Sequence, residues 1–183
     1  METNNTQNQK GFTLVEIAIV LVIIGLLLGG VLKGQELITN SKIKSVASDF
    51  DGIATAYYAY RDRTGEVPGD SDKDGIIDET EAAGGFWSQL RGQGFIKGAS
   101  SVISGPVHAL DGNFSVLGGA SGAMFIKNHI CANKIEPIIA KGMDIKLDDG
   151  DATTGIIRAG TAIGTATSGA YSGTDVLFVC REL

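Results

Sequence analysis

The chain has 183 residues, 43% of them hydrophobic, which suffices for one domain with a buried core and is too apolar for an intrinsically disordered polymer. Fifteen Lys and Arg against 21 Asp and Glu leave a net charge of −6, and no basic cluster interleaves with aromatics, so no direct nucleic-acid site is visible. Glycine is abundant, at 26 residues against a usual share of ~7%, but it follows no G-X-Y period, which excludes collagen and points to many turns.

The first element is apolar. Phe12 to Leu32 holds a single charge, Glu16. As a helix it is roughly 32 Å long, close to the ~30 Å hydrocarbon core of a bilayer. A secretory signal peptide would have a shorter apolar run followed by an A-x-A site, and neither holds here. A carboxylate within an apolar span costs about 2.5–3.5 kcal/mol at mid-membrane and less near the edge, so Glu16 needs a role beyond anchoring. Lys10 precedes the span while Lys33, Lys42 and Lys44 follow it, a distribution that by itself favours a cytoplasmic C-terminal region.

The helical pattern continues past the span. Ile43, Val46, Ala47, Phe50, Ile53, Ala54, Tyr57 and Tyr60 recur at spacings of three and four, which predicts one helix from about Thr13 to Arg63, amphipathic in its second half and ended by Thr64-Gly65. A short helix is expected over Gly85–Gln93 and one or two strands within Val102–Leu117. A further helix is expected near Asn133–Leu147, with Pro137 tolerable only in its first turn. Strands are expected at Gly155–Arg158 and Thr174–Cys180. The fold class is α+β, a long helix packed on a small, antiparallel sheet.

Between long helix and sheet lies Asp70-Ser71-Asp72-Lys73-Asp74-Gly75-Ile76-Ile77-Asp78-Glu79-Thr80-Glu81. It matches the twelve-residue EF-hand loop, with oxygen ligands from Asp70, Asp72, Asp74, Asp78 and Glu81, the Ile76 carbonyl, and a turn glycine at Gly75. Six acids and one lysine give the segment −5, a density that repels itself unless a cation binds. Pro68-Gly69 leaves no room for an entering helix, so the expectation is a structural calcium site of loop type. A second acidic run, Asp148-Asp149-Gly150-Asp151, lacks ligand spacing and reads as a solvated turn.

Two cysteines, Cys131 and Cys180, permit one disulfide, which would close a loop of about 50 residues and contribute roughly 4 kcal/mol. Two free thiols in a reducing compartment are the alternative. With His108 and His129 as the only histidines, the latter expected to be an ordinary surface or strand residue, and no G-x-S-x-G, P-loop or C-x-x-C, the chain is not expected to be an enzyme.

Lys10-Gly11-Phe12-Thr13-Leu14-Val15-Glu16, followed by IAIVLVIIGLLLGG, closely resembles the processing site of type IV pilins and pseudopilins. The resemblance implies that a prepilin peptidase removes residues 1–11 as a leader by cutting between Gly11 and Phe12, that Phe12 is then N-methylated, and that Glu16 is the acid on which assembly depends. Residues 12–36 would be the transmembrane and filament-core half of the helix, and 37–183 the globular head, carrying the loop 70–81 and the disulfide-bounded region 131–180. Many family members have a proline where this chain has Lys33; Gly25, Gly29, Gly30 and Gly34 lie around that position and either loosen the helix or let helices approach closely.

These readings imply a structural subunit of a type IV pilus, polymerised with itself or other pilins through the N-terminal helix for adhesion, motility or DNA uptake. It would reside in the bacterial inner membrane as precursor and then in an extracellular fimbrium. Two alternatives stand beside it: a pseudopilin of a type II secretion system in a periplasmic pseudopilus, and a membrane-anchored calcium-binding adhesin that does not polymerise.

Overall fold

The computed structural model describes residues 11, 13–78, 85–120, 124–167 and 169–183. Helix α1 runs through Leu14–Thr64, 51 residues without a break, the glycines near Lys33 included. It stops at Gly65, whose φ of 74° suits a residue without Cβ and whose N–H donates to the Arg61 carbonyl at 2.8 Å, a left-handed C-terminal cap. The chain divides into two compact units at Asn40 and Ser41. In the first, every side chain from Leu14 to Leu32 is exposed, and the helix is long and apolar enough to cross a membrane.

In the second unit α1 becomes amphipathic and buries Ile43, Val46, Ala47, Phe50, Ile53, Ala56, Tyr57 and Tyr60. Ala54 is only half-buried; the inward place near it belongs to Ala56, one turn before Tyr60. This face packs on a four-stranded antiparallel sheet of order β1-β2-β4-β3, comprising β1 Phe114–Leu117, β2 His129–Ile135, β3 Ile157–Gly160 and β4 Leu177–Glu182. Phe50 meets Phe114 edge to face at 5.1 Å, and Phe86, Trp87 and Leu90, at and within the short helix α2 (Trp87–Gly92), fill the same core. Buried Arg91 holds the following loop by donating to the carbonyls of Lys97, Val102 and Ser104.

Three expectations need adjustment. Asn133–Ile135 belong to β2, and helix α3 starts at Pro137 (Pro137–Leu147), because proline fits the first helical turn and holds Glu136 in extended backbone. The C-terminal strands begin two to three residues later than their sequence signals. Strand β2 carries no such signal: it is central, so it is buried on both faces and shows no alternation, and Asn133 and Lys134 dilute its apolar character.

Pleating sends alternate β2 residues to opposite faces. Ile130 and Ala132 join the α1 core, while Cys131 and, directly opposite on β4, Cys180 point the other way into a small second core with Met124 and Phe125. The two cysteines form the disulfide. His129 shares that side and is buried.

Candidate functional site

The apolar end of α1 opens with Thr13-Leu14-Val15-Glu16. The Glu16 carboxylate accepts the Thr13 N–H and hydroxyl, both at 2.8 Å, and the Glu16 N–H donates to Thr13 Oγ1 at 3.3 Å. This is a capping box: donors that the first turn leaves unused, and the one carboxylate of the span, satisfy each other. The T-x-x-E spacing before an apolar run is its sequence signature. Gly11 is exposed; Phe12 and the leader residues 1–10 lie outside the described residues.

The acidic loop is built by backbone turns around its own carboxylates. Asp70 accepts the N–H of Lys73 at 2.6 Å and of Gly75 at 2.8 Å, Asp72 that of Asp74 at 3.2 Å, and Asp74 that of Ile76 at 2.7 Å. Asp78 accepts both the N–H and the hydroxyl of Ser71, at 3.0 and 2.6 Å. Gly75 has φ 91°, the left-handed turn the sixth position requires. The base is closed by the Asp78 N–H donating to the Gly69 carbonyl at 3.1 Å.

Of the six ligand positions, Asp70, Asp72 and Asp78 converge, with one carboxylate oxygen of each within 4.8 Å of the others. Asp74 falls outside that group, its carboxylate turned to the Ile76 N–H, and Glu81 lies outside the described residues. The Ile76 main chain sits between Gly75 and Ile77, both of which are anchored. The convergence has an electrostatic signature. A hydrogen bond from the Asp74 N–H pulls the Asp72 carboxyl down, yet desolvation and the neighbouring carboxylates of Asp74, Asp78 and Asp70 together push it above its ordinary value. Asp78 is held low by its bonds from Ser71. An all-oxygen donor set with surplus negative charge fits a hard divalent cation such as calcium and offers no nitrogen or sulfur for a softer metal.

Sequence reasoning missed the residue that mounts this loop. Asn128, just before β2, accepts the Ile77 N–H at 3.0 Å and donates its amide to the Gly75 carbonyl at 2.9 Å and to Tyr57 Oη on α1 at 3.3 Å. Ile77 drops into the core, and Gly118 lies against it so closely that a Cβ there would meet the Ile77 carbonyl oxygen at 2.2 Å. Nothing local marks Asn128, since its partners are more than 50 residues away.

The second acidic run is a structured turn rather than a purely solvated one. Asp149 and Asp151 are exposed, but Asp148 caps β3 by accepting the Ile157 N–H at 2.8 Å. It stands beside buried Asp144, which accepts the Tyr171 hydroxyl at 2.5 Å and the Gly150 N–H at 3.0 Å. Burial raises both the Asp144 carboxyl and the Tyr171 phenol.

Residues 6–32 match the family model of the prokaryotic N-terminal methylation motif. No curated protein and no solved structure matches the chain.

Proposed function

From a chain that carries the N-terminal signature of type IV pilins and pseudopilins, we propose a structural subunit of a type IV pilus. A prepilin peptidase cuts it after Gly11, Phe12 is methylated, and the mature chain polymerises with itself or other pilins through α1. The observation that carries this reading is the apolar stretch Leu14–Leu32, exposed on all sides and holding one carboxylate, Glu16. Such a surface needs lipid before assembly and other helices after it. Cleavage leaves an α-ammonium on Phe12, and its partner in the polymer is Glu16 of a neighbouring copy. The role is mechanical, not catalytic.

The disulfide supports an extracytoplasmic head, against the lysine distribution around the span. The acidic loop favours a second reading, a type II secretion pseudopilin, because such subunits often brace their heads with calcium. Asp70, Asp72 and Asp78 would hold the ion in either case, and its charge would relieve their repulsion and fix the connection between α1 and the sheet. Calorimetry of the full chain in detergent at millimolar calcium tests this, and an absence of binding heat removes the ion from the account.

Intact mass in a sheared-filament fraction from the native cells separates the assemblies. A Phe12–Leu183 chain one methyl heavier and two hydrogens lighter, found in that fraction, supports the pilus. The same species confined to the membrane pellet supports the pseudopilus, and a chain retaining residues 1–11 refutes both.

A further inference from the structure

Two surfaces of the head each set a charge among apolar side chains, and the two charges are of opposite sign. The first is an open groove of about 430 Å³ beside α1, floored by Ser48, Asp49 and Gly52 and walled by Ile96, Pro106 and Val107. The small residues expose the helix: a Cβ on Gly52 would meet nothing within 4 Å. Val107 is 66% exposed at the rim. Asp49 is half-buried and makes no hydrogen bond or ion pair among the described residues, although Lys97 also lines the groove. Desolvation raises its carboxyl above the ordinary range, against a weaker opposing pull from nearby His108. The groove thus holds one carboxylate that the Lys97 ammonium lining the same groove does not pair.

The second surface is the outer face of α3. Its inner face buries Ile139, Ala140 and Met143. Outward, Ile138 and Ile145 are 73% and 61% exposed, with Lys141 between them at spacings of three and four, so the three form one stripe. Lys141 closes no ion pair among the described residues. The stripe therefore offers two isoleucines flanking an ammonium that closes no ion pair within its own head.

We infer that the α3 stripe of one copy docks in the α1 groove of a second copy, with Lys141 on Asp49 and Ile138 and Ile145 against Ile96, Pro106 and Val107. The contact joins two different patches, so each copy keeps one of each free and the association propagates instead of closing into a dimer. That geometry deepens the filament reading and rests on it.

Zero-length carbodiimide coupling, which joins a carboxylate only to an amine it touches, tests the contact on full-length chains in membranes and in sheared filaments. With two copies expressed in one cell, one carrying Lys141→Arg and the other Asp49→Asn so that only an inter-chain link can form, an isopeptide joining Asp49 of the first to Lys141 of the second is expected; its absence while other inter-chain links form overturns the inference. Asp49→Lys and Lys141→Glu should each cut inter-chain coupling and filament yield about tenfold, since like charges then face each other, and the double variant should restore them. Failure of the double variant to recover refutes the pairing. Gly52→Trp fills the groove without touching the core, and normal assembly by it is equally fatal. If wild-type cells shed no filaments, the filament reading fails on its own, and the membrane cross-link still decides the contact.

Discussion

Replacing Asn128 by alanine removes three hydrogen bonds at once, to the Ile77 N–H, the Gly75 carbonyl and the Tyr57 hydroxyl. Each is worth about 1 kcal/mol net, and the Ile77 N–H, left buried, sits at the costly end of that range, so the loss is about 3 kcal/mol. The unit from Ser41 to Leu183 melts with an entropy of roughly 0.3 kcal/mol/K by size scaling, so its Tm should fall by about 10 °C. The single tryptophan, Trp87, is 1% exposed in the core and reports unfolding by fluorescence, with the full chain in detergent. Asn128→Asp retains an acceptor for Ile77 but sets a buried carboxylate against the Gly75 carbonyl and the acidic loop, so it should lose at least as much. With the loop no longer mounted, the calcium concentration needed for half-saturation should rise, because the ion must now order the segment itself. A Tm loss below about 3 °C in Asn128→Ala would show that neighbouring packing, and not this amide, fixes the loop.

Reducing the Cys131–Cys180 bond, or replacing both residues by alanine, frees a chain separation of 49 residues in the unfolded state and should cost about 4 kcal/mol, read as a Tm loss of about 13 °C; little change would mean that the unfolded chain is already constrained. Burial holds His108 and His129 below the ordinary histidine value of 6.5, so the fold keeps them neutral while the unfolded chain takes up protons. Stability should therefore be complete above pH 6.5 and fall as the pH drops below it, by at most about 1.4 kcal/mol per unit for each histidine. Asp49 and Asp144, raised by burial, oppose this only nearer the carboxylate range, and a Tm flat from pH 7 to about pH 5 would contradict the sign. Glu16→Ala should still be cleaved and methylated but should enter filaments poorly, as shown by its ratio in pellet and sheared fractions; normal incorporation removes Glu16 from assembly.

The elements legible in the sequence are those whose burial is one-sided. Helix α1 has a core stripe from Ile43 to Tyr60 that follows the 3.6-residue period, and Gly65 marks its end. The N-terminal motif and the acidic spacing are local patterns, so they too could be read directly. Strand β2 could not, because its neighbours β1 and β4 come from separate parts of the chain and burial on both faces erases the alternation. Asn128 is invisible for the same reason: its value lies in contacts with α1 and the acidic loop that only the fold creates. The T-x-x-E capping box, in contrast, was present in the sequence and is masked there by the stronger implication of the processing motif.

The carboxylates fall into two groups by where their partners lie. Glu16, Asp144 and Asp148 are met within the chain, by Thr13, by Tyr171 and Gly150, and by Ile157. Asp49 has no such partner among the described residues; Asp70, Asp72 and Asp78 accept local donors but still crowd one another, as Asp144 and Asp148 do with Asp149. Donors within the chain satisfy the first group, and the second is where an outside cation, a metal ion or a lysine of another copy, adds most. Glu16 belongs to both. In the proposed polymer a neighbour's ammonium competes with bonds from Thr13 that already satisfy the carboxylate, so the net gain is a difference between two satisfied states. A small difference suits a register device: it is large enough to reject a misaligned helix, which would leave the ammonium unpaired in an apolar surround, and it leaves the bulk of the cohesion to the apolar helix surface.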